Sequence, residues 1–289
     1  MTVGVNPRVS KPAPVEGRRV LVVGAGSSGL AAARLLVRLG GRVTVSDTKP
    51  LSAMAEQAAE LDALGVTLVG EAMDLNGLET PDLAVVSPGV RPSAPMVLEL
   101  MGRGVPVIGE MELAWQHCPA RIAAITGTNG KGTTCRLAHS MLRRSGLDAV
   151  LAGNIGTPLA AVVDELAPED LVILEVSSFQ LMTTLTFAPH VAALVNVSPD
   201  HLDWHRDLDE YFGAKRRIFE LQRPEDLGVV VVDDLGAASL LNAVHSQRVR
   251  VSQQGPGEVT WDGRAIHAAL PGVDPVRIEA PELVAWGRY

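Results

Sequence analysis

At 289 residues with 47% hydrophobic and 20% charged residues, the chain is long enough for two domains and too apolar to be disordered. A formal charge of −8 argues against nonspecific nucleic-acid or anionic-membrane partners, which need a basic face. No apolar run is long enough to span a bilayer, so no membrane insertion is expected. The two cysteines, Cys118 and Cys135, form no ligand-spaced cluster and fit a reducing cytoplasm.

Residues 1–17 carry prolines and charges where a signal peptide needs an apolar run, and read as a flexible tail. From Arg18 strands and helices alternate: RRVLVVG, a glycine turn, a helix over about 28–39, then VTVSD. A helix over 52–64, the strands VTLV and LAVVS, a helix over 94–101 and the strand VPVIG follow. A helix over 110–119 should stop at the Cys118-Pro119 step, because the residue before proline avoids helical geometry. This alternation predicts a parallel Rossmann-like sheet over 18–119. A second α/β unit over 120–289 runs through RIAAIT, a second glycine loop, a helix to Arg144, DAVLAG, a helix over 159–165 and LVILEVS. It continues with VAALVNVS, a helix over 208–221 and GVVVVD, and Asp262-Gly263 between two apolar runs predicts a hairpin.

The first loop, Gly24-Ala25-Gly26-Ser27-Ser28-Gly29, lies between strand and helix, and Asp47 ends the next strand about twenty residues on. The glycines would admit a pyrophosphate, the helix N-terminus would supply N–H donors, and Asp47 would reach a ribose hydroxyl. A tight packing turn with an exposed Asp47 is the plainer alternative, and if the chain stopped at residue 119 an NAD-dependent dehydrogenase would be the default reading.

The second loop is more specific. In Ile125-Thr126-Gly127-Thr128-Asn129-Gly130-Lys131-Gly132-Thr133-Thr134 the backbone N–H groups would converge on phosphate oxygens and Lys131 would neutralise the outer phosphates. A hydroxyl after the lysine would ligate Mg²⁺. With only four lysines against 21 arginines, Lys131 in a glycine loop and Lys215 stand out.

Gly127-Thr128-Asn129-Gly130-Lys131 with its threonines resembles the ATP loop of the Mur ligase and folylpolyglutamate synthase superfamily. Further stretches resemble the D-glutamate-adding branch of the Mur ligases in order and spacing. They are Gly153-Asn154-Ile155-Gly156, Glu175-Val176-Ser177-Ser178-Phe179-Gln180-Leu181, Asn196-Val197-Ser198-Pro199-Asp200-His201-Leu202-Asp203 and Ala214-Lys215-Arg216-Arg217-Ile218. The resemblance implies a P-loop NTPase-like central domain that binds ATP through Thr128, Asn129, Gly130, Lys131, Gly132, Thr133 and Thr134. It implies two Mg²⁺ ions held by Thr133, Glu175, His201 and a carbamylated Lys215, with Lys131, His201 and Lys215 as catalytic residues. Each has a plainer alternative: a salt-bridged strand-end glutamate, a polar loop histidine, an exposed helix lysine.

In the first domain the resemblance implies a UDP-sugar site, formed by Gly26, Ser27, Ser28, Asp47, Thr48, Lys49, Ser87, Pro88 and Gly89, with Asn154 from the second. The implied partners are UDP-N-acetylmuramoyl-L-alanine, D-glutamate and ATP, the reaction is amide formation through an acyl phosphate, and a monomer is expected. Two departures bear on this. Gly132 stands where most such ligases have serine or threonine, as in folylpolyglutamate synthases, which leaves the hydroxyl ligand open between Thr133 and Thr134. The sequence also ends at Tyr289, before the end of the central domain and before the third domain of relatives. A truncated chain without ligase turnover of its own is therefore expected, and a folylpolyglutamate synthase-like ligase or an inactive nucleotide-binding fragment are the alternatives. His139, Met141, Trp115 and Trp204 read as packing or surface residues.

Overall fold

The computed structural model describes residues 8, 9 and 12–280. Its first layer is a five-stranded parallel sheet in the order β3-β2-β1-β4-β5. In chain order its elements are β1 (Arg19–Val23), α1 (Ser27–Arg38), β2 (Arg42–Ser46), α2 (Ala55–Ala63) and β3 (Thr67–Val69). Then come β4 (Leu83–Val86), α3 (Pro95–Gly102), β5 (Val107–Gly109) and α4 (Glu110–His117). β1 is apolar and buried beyond Arg19, as a central parallel strand covered on both faces requires. α1 buries Ala31, Ala32, Ala33, Leu35 and Leu36. It lies so close to β1 that a Cβ on Gly29 would sit 1.8 Å from the Gly24 carbonyl oxygen.

The second sheet has nine strands in the order β14-β13-β12-β11-β10-β9-β6-β8-β7. Its elements are β6 (Arg121–Thr126), α5 (Lys131–Arg144), β7 (Ala149–Gly153), α6 (Leu159–Val162), β8 (Leu171–Glu175), α7 (Ser178–Met182) and β9 (Val191–Leu194). They continue with α8 (Leu208–Glu220), β10 (Leu227–Val231), α9 (Leu235–Ser239), β11 (Gln247–Ser252), β12 (Val259–Trp261), β13 (Ala265–Ala268) and β14 (Val276–Glu279). Strands β7 to β12 are parallel, and β12, β13 and β14 form an antiparallel rim. The Asp262-Gly263 hairpin forms between β12 and β13, with Gly263 at φ +90°. The helix expected over 159–165 closes as one α turn and a 3-10 turn.

α4 joins the two sheets. All eight of its residues are buried, acids included, and it ends at His117 with Cys118 extended before Pro119. Glu112 accepts bonds from Gln116 Nε2 (2.8 Å) and from the backbone N–H of Leu185 (3.0 Å) and Thr186 (2.9 Å). Its charge is thus compensated by donors from the second sheet. Glu110 receives only the Ala160 N–H at 2.9 Å; its Oε2 is buried without a partner, and burial pushes this carboxyl up to about 7.

The described part of residues 1–17 is not a loose tail. Val9 and Val15 belong to the main apolar core, the Ala13 N–H donates to Gln116 Oε1 at 2.7 Å, and Arg8 forms a buried two-pronged ion pair with Asp226, Nη1 to Oδ1 being 2.8 Å. Two valines without helical or strand spacing carry too little periodicity to announce this packing. The rest of that segment, and residues 281–289 of the second unit, lie outside the described residues.

Candidate active site

In both sheets the loops that carry chemistry emerge from the C-terminal ends of central strands, where the direction of strand order changes and a crevice opens. In the first sheet this point lies between β1 and β4. The Gly24–Gly29 turn follows β1 and Ser87-Pro88-Gly89 follows β4. Gly24 has φ +98°, a left-handed conformation that favours glycine. Ser87 is buried and donates its hydroxyl to the Gly24 carbonyl at 3.0 Å, tying the two loops together. Asp47 Oδ2 accepts the Ala25 N–H at 2.8 Å and Oδ1 accepts the Lys49 N–H at 3.0 Å. The carboxylate therefore shapes the loop as well as lining it. Gly26, Ser27, Thr48, Lys49 and Gly89 are exposed, with Ser28 and Pro88 half-buried behind them.

In the second sheet β6 lies between β8 and β9. This order brings together the phosphate loop after β6, Glu175 at the end of β8 and Asn196 after β9. Gly130, at φ +79°, turns the chain into α5. Asn196 Oδ1 accepts the N–H groups of Thr128 (2.9 Å) and Asn129 (2.8 Å), and its amide donates to the Asn129 carbonyl at 3.0 Å. Those two amides thus face Asn196, while the amides of Lys131, Gly132 and Thr133, which have no intrahelical acceptor by position, face outward from the helix N-terminus. Thr128 turns inward: its hydroxyl lies 2.9 Å from the Tyr211 hydroxyl and 3.1 Å from the Ser198 carbonyl.

Lys131 folds back, its Nζ donating to the carbonyls of Gly127 (3.0 Å) and Thr128 (2.9 Å). Lys215, 1% exposed, donates to the same Gly127 carbonyl at 2.6 Å and stands 4.8 Å from the Tyr211 ring centroid. Burial, and secondarily the Lys131 charge, pushes Lys215 down to about 7.

Glu175 is 3% exposed. Its Oε1 accepts Asn154 Nδ2 at 3.1 Å, and its Oε2 has no partner. A Cβ on Gly132 would lie 3.0 Å from that oxygen, so the glycine keeps open the gap between the carboxylate and the first turn of α5. A buried carboxylate oxygen near threonine hydroxyls suits a hard cation, while the row of N–H groups beside it suits an anion. Thr134 donates its hydroxyl to the Gly130 carbonyl at 2.9 Å, while Thr133 is exposed.

His201 lies at φ +52° in a tight turn, its ring 4.9 Å from Phe179 and 6.2 Å from Tyr211. His201 and Lys215 therefore both border the Tyr211 ring. Among the described residues no three His, Cys, Asp or Glu side chains converge as a metal cluster; the carboxylate, hydroxyl and amine groups above are the donors at hand. Asn196, Tyr211 and His205, whose Nε2 lies 2.9 Å from Ser178 Oγ, organise the site. Asn196 was legible only through the stretch that contains it, and Tyr211 and His205 gave no signal.

A Rossmann-like sheet followed by a second parallel sheet with a glycine-lysine loop and a facing buried carboxylate defines a two-sheet α/β protein built like nucleotide-binding folds. The chain belongs to the Mur ligase family: residues 18–109 match the MurD-like Mur ligase N-terminal domain and residues 125–272 the Mur ligase middle domain. It is 40% identical over 268 residues to the UDP-N-acetylmuramoylalanine--D-glutamate ligase of Pelotomaculum thermopropionicum, covering 92% of this chain and 59% of that protein. The ligase of the same name from Geobacillus kaustophilus is 42% identical over 276 residues, covering 94% and 60%. The chain thus spans about three fifths of the length of these relatives. Among solved structures, UDP-N-acetylmuramate:L-alanyl-gamma-D-glutamyl-meso-diaminopimelate ligase from Neisseria meningitides superposes with a TM-score of 0.58 at 17% identity, covering 91% of this chain and 87% of that one. That likeness speaks for the fold. Among the described residues no helix is long and apolar enough to cross a membrane.

Proposed function

We propose that this chain takes part in ATP-dependent amide formation, joining D-glutamate to UDP-N-acetylmuramoyl-L-alanine in peptidoglycan precursor synthesis. The observation that carries the reading is the unpartnered, buried Glu175 Oε2 facing the first turn of α5 across the gap left by Gly132. An ionised carboxylate in that position needs a cation. The names of the relatives supply the substrates, and the MurD-like character of residues 18–109 favours this branch over folylpolyglutamate synthesis.

In this reading the sugar nucleotide lies on the Gly24–Gly29 and Ser87–Gly89 loops, with Ser27, Ser28, Thr48 and Lys49 on its rim and Asp47 holding the loop. ATP lies on the amides of residues 130–133, and Lys131 leaves the loop carbonyls to meet the outer phosphates. The substrate carboxylate attacks the terminal phosphoryl group, and the D-glutamate amine displaces phosphate from the acyl phosphate. Such transfers ask the protein chiefly for positioning and charge neutralisation. Glu175 with Thr133 would hold one Mg²⁺, and His201 with carbamylated Lys215 a second. When bound, these ions offset charge on the transferring group. The depressed basicity of Lys215 gives it a neutral-amine fraction near pH 7, which carbamylation requires. The buried free thiols Cys118 and Cys135 suit a cytoplasmic site of action. Calorimetry with a nonhydrolysable ATP analogue tests the carrying observation: Mg²⁺ should tighten binding to the wild-type chain and have no such effect on Glu175→Ala. An equal Mg²⁺ effect on both would remove Glu175 from the cation site.

A further inference from the structure

Between the two glycine-loop sites lies a side-chain contact that neither site accounts for. Arg91 follows Gly89 by two residues in the loop after β4, and its guanidinium carbon lies 5.4 Å from the centre of the Trp204 ring system. Arg91 is exposed and has no carboxylate partner among the described residues, so the aromatic face is what holds it. Trp204 belongs to the His201 turn: the N–H groups of Trp204 and His205 both donate to the His201 carbonyl, at 3.0 and 2.9 Å. The same indole packs on Phe179 with centroids 4.3 Å apart, and Phe179 in turn lies 4.9 Å from the His201 ring. A continuous line of contacts therefore runs from the Ser87–Gly89 loop of the first sheet, through Arg91 and Trp204, to the His201 turn and α7 of the second.

We propose that Arg91 is a positioning residue that couples the two sites: seated on Trp204, it fixes the Ser87–Gly89 loop against the His201 turn, so that a ligand on either sheet favours a ligand on the other. The inference rests on the ligase reading for the identity of the two ligands. A cation on an aromatic face at an exposed position supports a coupling of about two- to fivefold. Thermodynamic linkage requires the factor to be the same from either side.

The test is calorimetry on the full chain with UDP-N-acetylmuramoyl-L-alanine and a nonhydrolysable Mg-ATP analogue, each titrated with and without the other. In the wild type each ligand should tighten the other by the same factor, about two- to fivefold. In Arg91→Ala and in Trp204→Ala the factor should fall to one while each ligand alone binds as in the wild type. Arg91→Lys and Trp204→Phe, which keep a cation and an aromatic face, should retain part of it. A factor unchanged in Arg91→Ala overturns the proposal, as does independent binding of the two ligands to the wild type. So does a loss of both affinities in Arg91→Ala with the factor intact, since that is the mark of a merely structural residue. If neither ligand binds the wild type, it is the ligase reading that fails, and the coupling falls with it.

Discussion

In the proposed reading, three residues around the second glycine loop have roles that single substitutions separate. Lys131 is the cation free to exchange two loop carbonyls for phosphate oxygens. A hydrogen bond to a charged group contributes about 1.5–3 kcal/mol, so Lys131→Ala should weaken Mg-ATP analogue binding roughly ten- to hundredfold by calorimetry; unchanged affinity would make the loop a simple turn. Gly132 is needed for space, since a Cβ there would press on Glu175 Oε2 at 3.0 Å. Gly132→Ala should lower Mg-nucleotide affinity on the order of tenfold, yet leave the melting temperature the same or higher, because alanine is the better helix former. A drop in stability with affinity intact would contradict this. For Lys215, pushed down to about 7, the neutral amine grows as pH rises through 7. A carbamate carbon signal from ¹³C-bicarbonate should therefore grow between pH 6 and 8 in the wild type and be missing in Lys215→Arg. A signal equal in both proteins would exclude this lysine as the carbamylated one.

Among the elements, α4 carries the clearest pH signature. The folded-state value of Glu110, about 7, lies above the ordinary 4.5, so between those values the folded chain holds a proton that the unfolded chain has released. Stability from this group then falls as pH rises from 4.5 to 7 and is flat above. Relative to Glu110→Gln, which keeps an acceptor for the Ala160 N–H, the wild type should lose melting temperature progressively across that window. A difference independent of pH would mean that Glu110 is ionised throughout. The existence of α4 was readable from its length and the proline after it, but its burial was not. Glu112 is satisfied by Leu185 and Thr186, over seventy residues away in sequence, and Arg8 by Asp226, 218 residues away. Local pattern registers neither partner. Short elements were also missed: α7 and α9, five residues each, and β14, whose four residues are all exposed, whereas the alternating Gln247–Ser252 run of β11 carried a strand signal that went unread. Apolar strands and glycine loops were legible because their signals are local.

For the whole molecule, each sheet presents its glycine loop at its own switch point, and α4 with the shared apolar core holds the two sheets together, the arrangement on which the proposal that both loops serve one reaction builds. By itself the first loop reads as a nicotinamide dinucleotide site, and it is the MurD-like match over residues 18–109 together with the motifs beyond residue 120 that turns the proposal to a sugar nucleotide. The most direct measurement is calorimetric titration of the chain with UDP-N-acetylmuramoyl-L-alanine and, in parallel, with NADH. The account predicts saturable binding of the sugar nucleotide, weakened by substitution of Ser28 or Lys49, and no binding of NADH; NADH binding more tightly than the sugar nucleotide would contradict it.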